Sequence, residues 1–327
     1  MKNFIRKIPA QKTLLIALNF ILVLNCGNVL SQEEIFPGRT WAKSNSIECN
    51  WSSEKLEEIT KQAESIGTKS LFIVQNGKVV LDWGQTSTNF HIFSARKSLL
   101  SGLYGIFSDK GVIDLSSTLG DLDIDDLPPK LTPLEKTAKI IDLLKSRSGV
   151  YHKAAYETPG MEKNRPQRGS FKPGEHWYYN NWDFNALTTI FEKQTGISVF
   201  KAFEEEIANP LMMEDFDVDK NQYHYEEQSI HPATIWYLSA RDLARFGLLF
   251  LRNGRWGKDQ IISREWIEKS TTAYSDLGIL GGYGLCWWVA LNGEHYPFIK
   301  MPDGSYSARG TGEQTLLIIP AYDLIIV

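Results

Sequence analysis

Phe90-His91-Ile92-Phe93-Ser94-Ala95-Arg96-Lys97-Ser98-Leu99-Leu100-Ser101-Gly102-Leu103 is the stretch around which the other informative residues of the chain arrange themselves. Leu99, Leu100, Leu103, Ile106 and Phe107 recur at helical spacing, so the run reads as a helix that is apolar on several faces and therefore buried. Ser94 opens it as an N-cap or first-turn residue. Residues three apart share a helix face, which puts Lys97 one turn beyond Ser94 and within reach of its hydroxyl. A serine hydroxyl is a poor nucleophile until a base takes its proton, and an amine can do so when burial and the positive helix end lower its pKa. Ser94 and Lys97 are thus a candidate catalytic dyad. The same S-x-x-K spacing recurs at Ser52-Ser53-Glu54-Lys55, ahead of Leu56, Glu57, Glu58, Ile59 and Lys61. That run is a charged amphipathic helix with its polar face in water, and its serine reads as a cap.

The 327 residues, 43% apolar and 12% aromatic, can bury a large core in one or two domains. Residues 1–31 contain Lys2, Arg6, Lys7 and Lys12 and no acid, followed by the apolar run Thr13 to Leu24, short for a membrane span. They read as an export signal. Two processing routes fit: cleavage before Gln32, and a lipoprotein route through Val23-Leu24-Asn25-Cys26 that would attach the protein to a membrane through a lipidated Cys26. An uncleaved anchor fits less well, because Asn19 and Asn25 interrupt the run. Of the 35 basic residues four lie in this leader, leaving 31 against 39 acidic ones, a formal charge of about −8. That charge argues against a nucleic-acid partner. Cys49 and Cys286 would share a compartment in which a disulfide persists, but sequence does not say whether they meet. Neither cysteine spacing nor the six histidines suggest a metal site, and no cofactor motif is present.

A helix is expected over Glu54 to Ile66, ending at Gly67. A hairpin follows, with Leu71–Val74 and Val79–Leu81 flanking Gln75-Asn76-Gly77-Lys78. From residue 109 to 231 the text is helical (Ile140–Lys145, Asp183–Gln194, Val199–Ile207) with long polar loops. Of these, 151–174 has the length of a functional or cleft-walling loop. After the helix Ala240–Leu251, strand candidates run over Gly284–Val289, Tyr306–Arg309, Thr315–Ile319 and Leu324–Val327. The expectation is an α+β fold, with a sheet domain from residues 50–108 and 232–327 and a helical domain, 109–231, inserted between its halves.

With Tyr179-Asn180-Asn181 added to Ser94-Ala95-Arg96-Lys97, the chain resembles the serine β-lactamase and penicillin-binding-protein superfamily. It is most similar to the class C-like esterases and 6-aminohexanoate-dimer hydrolases. The resemblance covers roughly residues 50–327. Leu143-Leu144-Lys145-Ser146-Arg147-Ser148-Gly149 is similar to the family's LLTHTSG block. Pro173-Gly174 through Thr195-Gly196 is similar to its PG…YSN…E..TG block, and Ser239 to Gly247 to its SARDLARFG helix. Tyr178-Tyr179-Asn180 also satisfies Y-x-N, but counting from Gly174 selects Tyr179. The resemblance implies a β-lactamase-like fold, an antiparallel five-stranded sheet flanked by helices beside a helical domain, with the serine in the cleft between them. It implies a small-molecule ester, amide or peptide substrate and an acyl-enzyme on Ser94. Lys97 and Tyr179 would serve as the base pair, and Asn181 would donate to a substrate carbonyl.

The third motif departs from the lactamases: Ala308-Arg309-Gly310-Thr311-Gly312 lacks their Lys or His and resembles the glycine-rich version of the esterase branch. Gly310, Thr311 and Gly312 are its candidate substrate-binding and oxyanion residues, their backbone approached closely by substrate. The same glycines could instead mark a bulge. Strand alternation sets Arg309 on the face opposite Tyr306, Ala308 and Gly310; if the small residues line the cleft, Arg309 faces away from it. The family normally continues into a C-terminal helix that the sequence, stopping at Val327, does not show. The leading expectation is an exported serine hydrolase. A penicillin-recognising D,D-peptidase or β-lactamase and a non-catalytic envelope binding protein of the same fold are the alternatives. His91, His152 and His231 read as satisfied polar residues, with His152 and Tyr151 placed to reach the cleft.

Overall fold

The structure, a computed structural model, describes residues 34–44 and 51–327. The leader 1–31 with Cys26, and Cys49, lie outside the described residues. The helix α1, Ser53–Ser65, is capped as expected: the Ser52 hydroxyl accepts from Lys55 N at 3.3 Å. It leads into β1 (Ser70–Gln75) and β2 (Lys78–Gly84), joined through Asn76 (φ 51°) and Gly77 (φ 73°). Two consecutive left-handed residues make the tight turn that Asn-Gly favours.

The chain then enters α2, Arg96–Asp109, in which every residue from Arg96 to Phe107 is buried. Helix α3 spans Asn181–Thr195 and α4 spans Ala240–Leu251. Six further strands complete the sheet: β3 (Ser275–Asp276), β4 (Gly282–Tyr283), β5 (Trp288–Val289), β6 (Tyr306–Gly310), β7 (Gln314–Ile319) and β8 (Leu324–Ile326). The sheet order is β2-β1-β8-β7-β6-β5-β4-β3, and the neighbours pair antiparallel. Five strands of three or more residues form the expected sheet, and three two-residue strands extend it beyond β6.

The expected strand over Gly284–Val289 breaks because Cys286 adopts φ 62° and its N–H leaves the sheet for the Leu144 carbonyl at 2.9 Å. Its thiol is free and buried. A boundary at residue 231 would cut the strand Ser229–Ile235, which pairs with Gln222–Glu226 as a hairpin against α3.

Alternation along β7 shows how the layers are made. Leu316 and Ile318 join the core built with Leu99, Leu103, Phe246 and Phe250 of α2 and α4, while Leu317 and Ile319 join Trp51, Ile59 and Ala63 on the opposite face. Helix α4 lies close on the sheet because Gly247 leaves room; a Cβ there would stand 2.8 Å from Leu316 Cδ1. The turn that opens α2 packs against β6 and β7, and the candidate site lies there.

Candidate active site

Ser94 lies in the tight turn Phe93–Ala95 that feeds α2, one step earlier than a helix cap, and Ala95 occupies the cap position without a side-chain bond. Its hydroxyl is therefore not spent on the helix end. Lys97, 2% exposed, brings Nζ to 3.0 Å from Ser94 Oγ, 2.7 Å from Tyr179 OH and 2.9 Å from Asn181 Oδ1. The amine also sits over the Tyr179 and Phe184 rings at 4.1 and 4.3 Å. Three acceptors match the three N–H groups of a charged lysine. With the amine neutral, Asn181 Oδ1, which only accepts, takes one N–H, and the lone pair is left for the Ser94 proton.

Burial, and after it the neighbouring Arg96 cation, hold Lys97 well below its usual range. Burial pushes the Tyr179 phenol up to about 12, against the opposing Ser94 hydrogen bond and Arg96. The two groups are driven apart in the direction that makes the amine a base and keeps the phenol protonated at neutral pH.

The Tyr179-Asn180-Asn181 turn is held from behind. Asn180 caps α3, its Oδ1 accepting from Trp182 N at 3.2 Å. Its Nδ2 donates to Val150 O at 2.7 Å and to Asp183 Oδ1 at 2.9 Å. Ser146 Oγ accepts from Asn180 N at 3.1 Å and donates to Tyr178 O at 2.7 Å. Ser148 Oγ donates to Asp183, whose carboxyl burial pushes well above its usual range. The block at 146–149 is thus the support of the second motif, which gives their fixed order a physical reason. Tyr178 turns away and donates to Met161 O at 2.8 Å.

Asn181 makes bonds of its own at both ends of its amide. Its Nδ2 donates to Tyr156 O at 2.6 Å, so its amide is a brace between the 151–174 loop and Lys97, with one N–H remaining. The third-motif residues divide. Gly310 ends β6, and a Cβ there would stand 2.3 Å from Ile92 O and 3.2 Å from Phe93 Cβ, so only glycine lets this strand abut the Phe93–Ala95 turn. Thr311 and Gly312 (φ 77°) lie in the exposed turn to β7, off the strand. The pairing Gly310↔Gln314 shows no register shift, which removes the bulge alternative.

Strand alternation sets Arg309 opposite Tyr306 and Ala308, but those two face the core, where Tyr306 packs on Trp287 and Phe250, and do not line a cleft. Trp288, opposite Ser307 in register, shares Arg309's face and touches the Tyr179 ring at 5.6 Å. The Arg309 guanidinium donates to His295 O at 2.7 Å and Ser307 Oγ at 2.8 Å, and stacks on Tyr296 and Trp288 at 3.9 and 4.9 Å.

The histidines also sort themselves. His152 Nε2 meets the Leu127 and Pro129 carbonyls at 3.2 Å, and Tyr151 packs on Tyr178. His231 meets Thr189 Oγ1 and Asp125 O. Neither histidine meets the Lys97 cluster, whereas His91 stacks on Phe93 at 3.8 Å. Arg96, Tyr156 and Trp288 are site residues that sequence reading missed. The contacts that bring them to the site, Arg96 to Thr234, Tyr156 to Asn181 and Trp288 to Tyr179, are long-range, and only the doubled Trp287-Trp288 could have drawn attention.

A cavity of about 250 Å3 lined by Phe90, Ile92, Leu238, Tyr296, Gly312 and Leu317 includes none of Ser94, Lys97 or Tyr179. Among the described residues no group of three or more His, Cys, Asp or Glu is placed to hold a metal ion.

The Beta-lactamase family model matches residues 55–327. An uncharacterized protein of Alkalihalophilus pseudofirmus is 25% identical over 296 residues, covering 79% of this chain and 82% of that one. Among solved structures, a protein provisionally assigned as a 6-aminohexanoate-dimer hydrolase from Bacillus anthracis superposes with a TM-score of 0.63 at 21% identity, covering 97% of this chain and 87% of that one. The octameric penicillin-binding protein homologue from Pyrococcus abyssi gives 0.62 at 20% identity, covering 84% and 72%.

Proposed function

This chain belongs to the beta-lactamase family of serine hydrolases, and we propose that it cleaves ester or amide bonds of small molecules through an acyl-enzyme on Ser94. The observation that carries this reading is the Lys97 amine, buried and bonded at once to the Ser94 and Tyr179 oxygens. Ser94 Oγ attacks the substrate carbonyl carbon as Lys97 Nζ takes the hydroxyl proton. The backbone N–H of Ser94 and that of a residue near Thr311, where β6 gives way to its turn, are the donors this reading assigns to the oxyanion. Tyr179 gives its proton to the leaving oxygen or nitrogen and is reprotonated from Lys97, so the alcohol or amine departs neutral. Water, deprotonated by the same pair, then attacks the acyl-enzyme, releasing the acid and restoring Ser94. The basic start and short apolar run of residues 1–24 support export, by cleavage before Gln32 or by lipidation of Cys26. Intact mass or N-terminal sequencing of protein from the native host tests that part, and recovery of the Met1 form from the cytoplasm overturns it.

The central test is intact-protein mass spectrometry after exposure to a fluorophosphonate and, separately, to a penicillin. The fluorophosphonate is expected to add to wild type and not to Ser94→Ala, and Lys97→Ala is expected to slow the addition by about a thousandfold or more. Near-normal labelling of Lys97→Ala would show that another base is present. A stable penicilloyl adduct formed faster than ester turnover would favour a penicillin-recognising enzyme instead.

A further inference from the structure

Arg96 is 3% exposed, yet it makes no ion pair with a carboxylate among the described residues. Its Nε donates to Thr234 Oγ1 at 3.1 Å in the hairpin strand Ser229–Ile235, and its Nη1 donates to Phe93 O at 3.2 Å. The ionisable groups coupled to it are the phenols of Tyr179 and Tyr156, the His91 ring and the Lys97 amine, none of them a carboxylate. A buried guanidinium without a counter-charge is costly, so its place next to the candidate base calls for a reason. Phe93 supplies one half of it: this bulky residue holds φ 47°, a left-handed backbone that costs about 1–3 kcal/mol. Its carbonyl is the one Arg96 grips, immediately before the nucleophile.

Lys97 supplies the other half. The groups facing its amine are Ser94, Tyr179, Asn181, the Phe184 ring and, from the loop before β5, the Cys286 thiol. None of these is an anion at neutral pH; among the described residues Arg96 is the cation that bears on the amine, while Arg309 bears on Tyr179. We propose that Arg96 is a positioning residue of the acyl-transfer site, its single guanidinium both clamping the Phe93 turn and supplying the uncompensated positive field that bears on the Lys97 amine. The inference rests on the serine-hydrolase reading above. The Arg96 and Lys97 side chains line one small void with Phe184, Thr188 and Thr234, so the two cationic groups share a buried space; burial, then Arg96, both act on Lys97 in the direction that frees its lone pair, and a cationic neighbour is a known way to activate a lysine.

The test is the pH dependence of fluorophosphonate labelling of Ser94 in the full chain, with thermal melting to check folding. In wild type the rate rises with pH as Lys97 loses its proton, and Lys97→Ala loses that rise. Removing the neighbouring cation lets Lys97 hold its proton longer. Arg96→Gln and the apolar Arg96→Met are therefore expected to move the midpoint at least about one pH unit higher, recovering much of the rate at high pH. Arg96→Lys keeps the charge and loses the fork, so its midpoint stays while its plateau falls. A midpoint unmoved in both charge-free variants, with the rate lowered equally at every pH, makes Arg96 a structural clamp only and overturns the proposal. Failure of both to melt cooperatively overturns it too. If wild type is not labelled at any pH, the serine-hydrolase reading falls first; labelled wild type with unmoved variants overturns the role of Arg96 alone.

Discussion

The Lys97 amine has three oxygens around it and one proton's difference between base and cation, so the identity of each oxygen decides what it can do. Asn181 offers a neutral acceptor, which orients the amine without holding its charge. Asn181→Asp would put a carboxylate about 3 Å away in a buried site, and an opposite charge at that range favours the protonated lysine. The sign follows: the labelling rate, which needs the neutral amine, should rise with pH at least about one unit later than in wild type, a fall of about tenfold on the rising limb of the profile. The pH profile of fluorophosphonate labelling checks this, and an unshifted profile would remove Lys97 as the titrating base. Tyr179→Phe keeps the ring against Trp288 and Tyr283 but deletes the proton carrier. It should lower ester turnover by about 100- to 10,000-fold, the usual worth of a positioned acid–base group, with little change in melting temperature. The phenol, pushed up to about 12, keeps its proton across the neutral range, so any high-pH decline should begin well above pH 10.

Between residues and the molecule stand the elements, and here two glycines of one motif separate. Gly310→Ala forces a Cβ to 2.3 Å from Ile92 O, so β6 and the nucleophile turn must part. A shift near one ångström at reacting atoms costs about a hundredfold in rate, and the overpacking about 1–3 kcal/mol in stability. Gly312→Ala meets only Gln314 Nε2 at 4.0 Å, but its φ of 77° strains an alanine by about 1 kcal/mol, so it should soften the fold slightly and leave the labelling rate near wild type. Melting curves and labelling rates on the two variants decide the point; equal kinetic loss in both would mean that the conformation of Gly312 itself sets the oxyanion-binding backbone beside it.

The same scale shows what the sequence could and could not tell. The Asn76-Gly77 hairpin, the alternating β7 and the apolar α2 were legible because their signals are local: turn chemistry, a period of two, a period of 3.6. The broken strand at Cys286 was not, since a left-handed cysteine bonded to Leu144 is a tertiary arrangement that leaves no local mark. Within the site, Lys97 follows Ser94 by helical spacing and Tyr179 by motif resemblance. Arg96's grip on Thr234 and the Asn181–Tyr156 bond join segments far apart in sequence, with no periodicity to announce them.

At the scale of the whole molecule, the turn that feeds α2 sets Ser94 between the sheet and the α3 layer, and Trp177, Tyr179, Tyr283 and Trp288 pack together as an aromatic wall on the sheet side. The wall bears on which substrates the cleft can hold. A penicillin presents a carboxylate that needs a charge-assisted partner near the nucleophile, worth roughly 1.5–3 kcal/mol, or about one to two orders of magnitude in rate. Arg309 is the third-motif cation available, and its guanidinium is already engaged by His295 O and Ser307 Oγ and covered by Tyr296 and Trp288. Reaching a substrate carboxylate would require breaking those bonds and lifting it off two rings. A neutral short-chain ester makes no such demand. The expected result is that kcat/KM for a p-nitrophenyl ester exceeds that for benzylpenicillin. Since the ester is intrinsically the more reactive, the variant is the sharper measurement: Arg309→Ala should change ester turnover less than about threefold beyond any loss traced to unstacking Trp288. Efficient penicillin turnover that collapses in Arg309→Ala would show that the guanidinium swings into the cleft when a carboxylate arrives, and that the wall opens to let it through.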